Sequence, residues 1–321
     1  MEEKGLIAIP SQVPVALIEI DAQALLDSFL SGKSERTIQA YRRDLDDFRK
    51  FLGATNMNEA ARKFLAGSLG EANYVALQYR KHLVERPLQP TTVNRKLASL
   101  RSLSDMAYTL GMVNWRVRVK NQKVFEGSRD TTGPGKTGVQ KLREEVARRT
   151  DAKGLRDKAI IHLLFDLALR RSEIVGMDLD DVDLETGTLR ILGKGRLQKE
   201  TLTVPTRTRK TLKDWTDVRG DWAGPLFVNF HHNGSIKGKR LTPEGLYYVV
   251  KHLGKKTGQK VRPHGLRHTS ITEAVRKAQA VGMDVTKVLK FSRHKNLNTL
   301  QVYIDGVEGA QGEIAELVSM D

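Results

Sequence analysis

Apolar residues recur at helical spacing through most of this chain, and one stretch rich in Gly, Ser, Thr and Pro interrupts the pattern. Tyr41, Leu45, Phe48 and Leu52 stand at i, i+4, i+7 and i+11, which puts them on one face of a helix. Ser34 and Thr37 offer capping hydroxyls before that run. Val93, Leu97, Leu100, Leu103, Ala107 and Leu110 repeat the pattern after Pro90-Thr91-Thr92, a suitable helix start. Weaker helical patterns lie near Glu59–Leu69 and Asn73–Val84. The break is Glu126-Gly127-Ser128-Arg129-Asp130-Thr131-Thr132-Gly133-Pro134-Gly135, a composition typical of a linker. These features divide the chain into a leader (1–20), a helical domain (21–115), a linker (116–138) and a second domain (139–321).

The second domain reads as mostly helical with one β insertion. Leu155–Leu169 is strongly apolar at helical spacing, and Thr188–Leu192 and Thr201–Val204 read as two strands of a hairpin. Helices resume near Thr242–Leu253, His264–Ala280 and Asp284–Leu289, and Gly312–Val318 reads as a short amphipathic tail helix. The fold class expected is therefore mainly α with a small antiparallel β-sheet, in two domains.

Charge narrows the function. The net formal charge is +16, which favours a polyanionic partner, nucleic acid being the commonest. The surplus is uneven: residues 1–115 carry 15 Lys+Arg against 13 Asp+Glu, whereas residues 116–321 carry 39 against 25. Cysteine is absent, so disulfides, thiolate metal sites and a cysteine nucleophile are excluded. No apolar run approaches 18 residues, and the N-terminus lacks the basic lead of a secretory signal, so no membrane span or export is expected.

Four patches carry candidate chemistry. An arginine pair, Arg170-Arg171, ends an apolar helix just before Ser172-Glu173. Lys194 sits between glycines at the hairpin tip, and His264 and Arg267 stand one helical turn apart in Pro263-His264-Gly265-Leu266-Arg267-His268. His294 lies nine residues before Tyr303. Taken singly, each has an ordinary structural reading: a helix C-terminal cation for Arg170, a solvated turn for Lys194, a packed ring for Tyr303. The His264/His268 pair has metal-site spacing, but it lacks the glutamate of a zinc-hydrolase helix and has Arg267 between its members. His231-His232 reads as a loop pair without function.

In this order and spacing the patches resemble the tyrosine recombinase (phage integrase) family. The family pattern has a Gly-Leu-Arg-x-Ser-Glu-Leu segment, a Gly-Lys-Gly hairpin, a His-x-x-Arg segment, and a Gly-His followed nine residues later by tyrosine. The matches here are Leu169–Ile174, Gly193-Lys194-Gly195, Pro263–Thr269 and His294 through Tyr303. Arg36-Thr37-Ile38-x-x-Tyr41 and Thr92–Leu97 resemble the family's core-binding domain less specifically. Ala168 stands where glycine is usual, and Ser292-Arg293 precede His294 where Leu-Gly is common. The hairpin from Lys194 to Pro205 is a few residues longer than in many members, which leaves Lys199 or Arg196 as alternatives to Lys194.

The resemblance implies site-specific DNA breakage and rejoining through a 3′-phosphotyrosyl bond, in the service of a mobile element. Arg170 and Arg267 suit a phosphate clamp, because guanidiniums bind its oxygens bidentately and stay charged. Tyr303 is the expected nucleophile, with nearby cations favouring its phenolate. Lys194 is the expected general acid for the leaving 5′-hydroxyl, His264 an aid to proton transfer, His294 a donor to the scissile phosphate and Glu173 an orienting group. No cofactor and no metal is expected. Arg95, Lys96, Arg101 and Arg240 are the expected DNA-contacting cations. The implied assembly is a C-shaped clamp on double-stranded DNA bearing specific sites, working as a homotetramer, with accessory directionality proteins as further partners. The implied location is cytoplasmic and nucleoid-associated. Type IB topoisomerase activity, or DNA binding without catalysis, are the alternative readings.

Overall fold

The fold comes from a computed structural model that describes residues 28, 31–33, 35–124, 133–193, 195–284, 286–294, 296–305 and 318–319. The leader, Ser34, Lys194 and all of the expected tail helix except Val318 lie outside the described residues. The chain divides into two compact units between Arg129 and Asp130.

The first unit holds α1 (Glu35–Phe51), α2 (Met57–Leu65), α3 (Leu69–Glu85) and α4 (Pro90–Thr109). Ser68 and Glu71 form a capping box that starts α3, and Asn56 caps α2. The expected stripes are buried: Leu45 and Phe48 from α1, and Val93, Leu97, Leu100, Leu103 and Ala107 from α4. Leu110, expected on the same face, is exposed because α4 ends at Thr109 and the chain turns at Gly111. Phe48 packs edge-on against Phe64 and Tyr79 at the centre of this core.

The segment taken as the start of the linker belongs to this unit. Trp115, Val117 and Val119 are buried in its core while Arg116, Arg118 and Lys120 between them are exposed. That alternation has the period of an extended strand. The segment is fastened to α4 by Arg101, which donates to the Val119 carbonyl at 2.8 Å and to Asn121 at 2.9 Å. Asn94 exchanges hydrogen bonds with the Gln122 backbone.

A charged network ties α1, α3 and α4 together. Asp44, 2% exposed, accepts from Arg95 and from Ser99, and lies 3.6 Å from the Lys96 ammonium. Asp47 receives Lys96 at 3.1 Å, Arg86 at 3.0 Å and the Tyr79 hydroxyl at 3.0 Å. Lys96 is thus a buried cation between two aspartates, and its stem covers the core rather than reaching outward.

The second unit is built on α5 (Gly135–Ala147), α6 (Ala152–Asp166), α7 (Arg171–Gly176), α8 (Thr206–Arg219), α9 (Pro243–Lys256), α10 (Pro263–Ala280), α11 (Thr286–Ser292) and α12 (Leu297–Asp305). β1 (Val182–Asp183), β2 (Thr188–Leu192) and β3 (Lys199–Thr203) form an antiparallel sheet in that order. Leu189 and Ile191 turn one face of β2 into the core. A second hairpin, β4 (Val228–Phe230) with β5 (Ile236–Arg240), was not expected from the sequence; His231 and His232 lie in its turn. The main core gathers α6 with α8, α9 and both sheets around Trp215, Phe227 and Ile160. A smaller cluster joins Ile271 and Val275 of α10 to Val288 of α11 and to Leu300 and Tyr303 of α12. No helix among the described residues is long and apolar enough to cross a membrane.

Replacing Lys96 by Met leaves the buried Asp44 and the half-buried Asp47 without their shared cation. Urea denaturation of the full chain should show the first unit destabilised by about 3 kcal/mol, the scale for breaking one side of a buried ion pair. Lys63→Met, whose partner Glu59 is a solvated neighbour one turn away, should cost less than about 0.5 kcal/mol.

Candidate active site

Two tight turns and one long helix bring the candidate residues together. The first turn follows α6. Leu167 closes that helix, Ala168 takes a left-handed φ of 47°, and Arg170 then starts α7 in an extended conformation. Glu173, one turn into α7, accepts the Arg170 backbone N–H at 2.8 Å and the Arg170 guanidinium at 2.7 Å. It therefore holds both the main chain and the side chain of Arg170.

The second turn joins α11 to α12. Arg293 has a φ of 55° and places His294 beside the first turn. Between the two turns runs α10, entered through Arg262 and Pro263. Arg267, 1% exposed, donates to the Ala168 carbonyl on one side and to the Ser292 carbonyl on the other. Its guanidinium also lies 3.5 Å from His294 Nε2. Burial, with Arg170 and Arg293 close by, pulls Arg267 down to about 9, which still leaves it charged at neutral pH.

Tyr303 is carried by α12 and is only 6% exposed. Its ring stacks between two imidazoles, with His268 at 5.3 Å and His294 at 5.8 Å between centroids. The hydroxyl lies 2.5 Å from His268 Nδ1. Burial pushes the phenol up to about 12, although Arg267 and Arg170 pull the other way. The sequence led to the expectation that neighbouring cations favour the phenolate. Their pull is present, but burial outweighs it in this state.

His268 was quoted in the sequence only as part of a motif and as a weak metal candidate. In the structure it is 6% exposed, lies edge-on to His264 at 4.1 Å, and is the hydrogen-bond partner of Tyr303. Burial, then His264, Arg262 and Arg267, hold its imidazole down at about 4. It is neutral at working pH, and in the tautomer protonated on Nε2 its Nδ1 accepts from the tyrosine hydroxyl. The i, i+4 spacing from His264 signalled the proximity of the two rings; nothing in the sequence signalled the partner on α12. His294 is likewise held down at about 4, by burial and by Arg267 and Arg170, and its buried Nδ1 has no hydrogen-bond partner among the described residues.

The open side of this cluster is a pocket of about 370 Å³ lined by Arg170, Arg171, Arg262, His264, Arg267 and Tyr247, among others. Its wall is cationic and has room for a phosphate group, with His264 exposed at its edge. Of the other expected residues, Lys194 lies outside the described residues. Lys199 is bound to both carboxylate oxygens of Asp181, at 2.6 and 2.7 Å, and Arg196 to Glu200 at 2.7 Å.

The four expected DNA-contacting cations all have intramolecular partners. Lys96 is buried, Arg95 binds Asp44, and Arg101 holds the segment after Trp115. Arg240 donates to the Val175 and Met177 carbonyls at 2.8 and 3.0 Å and to Asp178. Arg95 and Arg240 keep about half of their side chains exposed, at 48% and 40%.

Residues 136–308 match the model of the phage integrase family, and residues 28–110 match its N-terminal SAM-like domain. A tyrosine recombinase of Synechococcus elongatus is 35% identical over 88% of this chain and 89% of the relative. One of Synechocystis sp. is 31% identical over 92% of this chain and 95% of the relative. The tyrosine recombinase XerC of Corynebacterium glutamicum is 27% identical over 94% of each. Among solved structures, the post-cleavage complex of the XerH site-specific recombinase with palindromic difH substrate has a TM-score of 0.64 at 18% identity. That likeness covers 93% of this chain and 85% of the other. The Tn1549 transposon integrase in complex with transposon right end DNA also scores 0.64, at 16% identity over 92% and 99%. These two likenesses concern the fold.

The histidine shift gives a pH dependence. His268 has a folded value near 4 against an ordinary 6.5, so the unfolded chain binds the proton more tightly. The stability this contributes is complete above about pH 6.5 and is lost as pH falls through about 4, on the order of 3 kcal/mol. Melting temperature should fall over that window, and His268→Asn should flatten part of the fall. An unchanged slope in the variant would show that His268 is not buried neutral.

Proposed function

The chain belongs to the phage integrase family of tyrosine recombinases, and from that membership we propose the roles of its individual residues. The enzyme breaks and rejoins DNA strands in site-specific recombination. Tyr303 is the nucleophile. The observation that carries this assignment is that Arg170, His264 and Arg267 line one cationic pocket, while His294 lies beside Arg267 and stacks on the Tyr303 ring.

In the proposed reaction a phosphodiester enters the pocket beside Arg170 and Arg267, whose charges match the charge that builds on its non-bridging oxygens. His264 at the rim and His294 beside Arg267 add hydrogen bonds. The Tyr303 oxygen attacks phosphorus, forming a 3′-phosphotyrosine as the bond to the 5′-oxygen breaks. The phenolic proton leaves towards His268, the group it already contacts. Lys194 protonates the leaving 5′-oxygen; Lys199 is a weaker candidate because Asp181 holds its ammonium. Attack by a 5′-hydroxyl of the partner strand reverses these bonds and rejoins the DNA. The step conserves one phosphoester bond for another, so it requires no nucleotide hydrolysis.

We also propose that the protein binds double-stranded DNA and acts as a homotetramer on paired sites of a mobile element, near the nucleoid. The basic surplus of residues 116–321 supports DNA as the partner. Arg95 and Arg240 are the more exposed of the expected phosphate contacts, while Lys96 is assigned to the core.

The test is a covalent adduct. Wild-type protein and Tyr303→Phe are mixed with a fragment pool that includes the DNA flanking the gene, and resolved on a denaturing gel. A protein–DNA adduct is expected from wild type alone, and sequencing the trapped DNA identifies the site. An adduct in Tyr303→Phe overturns the nucleophile.

The general acid has its own signature. Lys194→Ala should slow cleavage by about 10²- to 10⁴-fold. Replacing the leaving 5′-oxygen by sulfur, which departs without a proton, should restore most of that loss. Restoration in Lys199→Ala instead would move the role to Lys199.

A further inference from the structure

Arg293 occupies a position at which the family pattern has glycine, and it does so in a glycine conformation, with φ at 55°. A left-handed backbone strains a residue that carries a Cβ and persists where the surroundings enforce it. The enforcement is visible. The Arg293 side chain is 5% exposed and its guanidinium is spent on four acceptors. One terminal nitrogen donates to the Leu167 carbonyl at 3.0 Å and the Phe291 carbonyl at 3.1 Å. The other donates to the Ala168 carbonyl at 2.9 Å and reaches Glu173 at 3.3 Å. Ala168, at the other family glycine position, is also left-handed, at 47°. The two departures from the family pattern are therefore physically joined: the side chain of one hydrogen-bonds the carbonyl of the other.

The partners explain what the join does. Glu173 is shared between Arg293 and Arg170, one oxygen taking the Arg170 guanidinium and the other taking the Arg170 N–H and Arg293. The Ala168 carbonyl is shared between Arg293 and Arg267. The residue after Arg293 is His294. One side chain thus spans the turn that carries His294 and the turn that carries Arg170, and touches both groups that fix the two phosphate-binding arginines.

We propose that Arg293 is a positioning residue, a buried guanidinium latch that sets His294 and Arg170 at their working separation in place of the glycine turn the family uses. This rests on the reading of Arg170, Arg267 and His294 as the phosphate-binding groups. Arg293 does not line the pocket.

Arg293→Gly is the decisive variant, because it relieves the backbone strain and restores the family residue while removing the latch. Two measurements are made on the full-length protein. The first is the single-turnover rate of Tyr303 adduct formation, with DNA affinity measured alongside. The second is hydrogen exchange of the peptides that cover residues 166–174 and 288–296. The latch predicts a rate about 10- to 100-fold slower, the scale of a misplacement of about 1 Å. It also predicts DNA affinity within about twofold of wild type, faster exchange at both turns, and partial rescue of the rate by free guanidinium ion. A rate equal to or above wild type, as relief of strain alone would give, overturns the proposal. So does a joint loss of rate, affinity and melting temperature that guanidinium does not repair, since that is general unfolding. If wild type itself makes no adduct through Tyr303, the catalytic reading fails, and exchange still decides the latch: unchanged exchange at both turns overturns it.

Discussion

The second unit depends on a cluster of three arginines held together without three carboxylates. Arg170 and Arg293 bind the buried acid Glu173, Arg267 feels it only through its charge, and like charges so placed repel. The remaining compensation comes from backbone carbonyls at two helix C-termini. Leu167 and Ala168 follow the end of α6, and Phe291 and Ser292 close α11. Such carbonyls have no partner within their helix and carry the negative end of its dipole. Arg267 and Arg293 supply the missing donors to both ends. The site is thus assembled by capping, and its leftover positive charge is what an incoming phosphate would neutralise.

That scheme explains the surrounding architecture. α6 must stop short, because a helix continued to Ser172 would consume the Leu167 and Ala168 carbonyls that Arg267 and Arg293 use. The main core around Trp215 and Ile160 holds α6 rigidly, and the smaller cluster around Ile271 and Val288 holds α10 and α11 on the other side. Tyr303 belongs to that smaller cluster, so the same packing that aligns the arginines seats the proposed nucleophile. α12 contributes Leu300 as the anchor one turn before it.

Much of this was legible in the sequence because helical stripes and short motifs are local signals. Leu45 and Phe48, or Val93 through Ala107, announce their buried face within one helix. The catalytic candidates were legible as motifs whose order mattered more than any one residue. What was hidden depends on distant pairing or on polar burial. α8 was missed because its inner face includes Thr208, Thr211 and Arg219 beside Leu212 and Trp215, which blurs the apolar stripe. The β4–β5 hairpin was missed because β5 is almost wholly exposed and polar. The extended run after Trp115 did carry a signal, alternating Trp, Val and Val with Arg, Arg and Lys, but its basic residues suggested a linker. Lys96 was read as DNA-facing because its aspartates lie about fifty residues away, on α1. His268 gained its role only when α12 laid Tyr303 against α10.

The hydrogen bond between Tyr303 and His268 constrains how catalysis can begin. Burial pushes the Tyr303 phenol up to about 12, so in the free protein the hydroxyl keeps its proton at neutral pH. The proton has to leave as the attack proceeds, and the base in contact is an imidazole held near 4, which is too weak at rest to take it. After burial, what depresses that imidazole is the charge of His264, Arg262 and Arg267, and His264, Arg262 and Arg267 also line the pocket. A phosphodiester bound there would bring a negative charge against those cations and raise the basicity of His268 while it lowers the cost of charge on the phosphate's own oxygens. The cations thus act oppositely on the two groups: they quiet the imidazole and favour the phenolate against the burial that opposes it, so a bound phosphate would give His268 basicity at the expense of the pull on the Tyr303 proton.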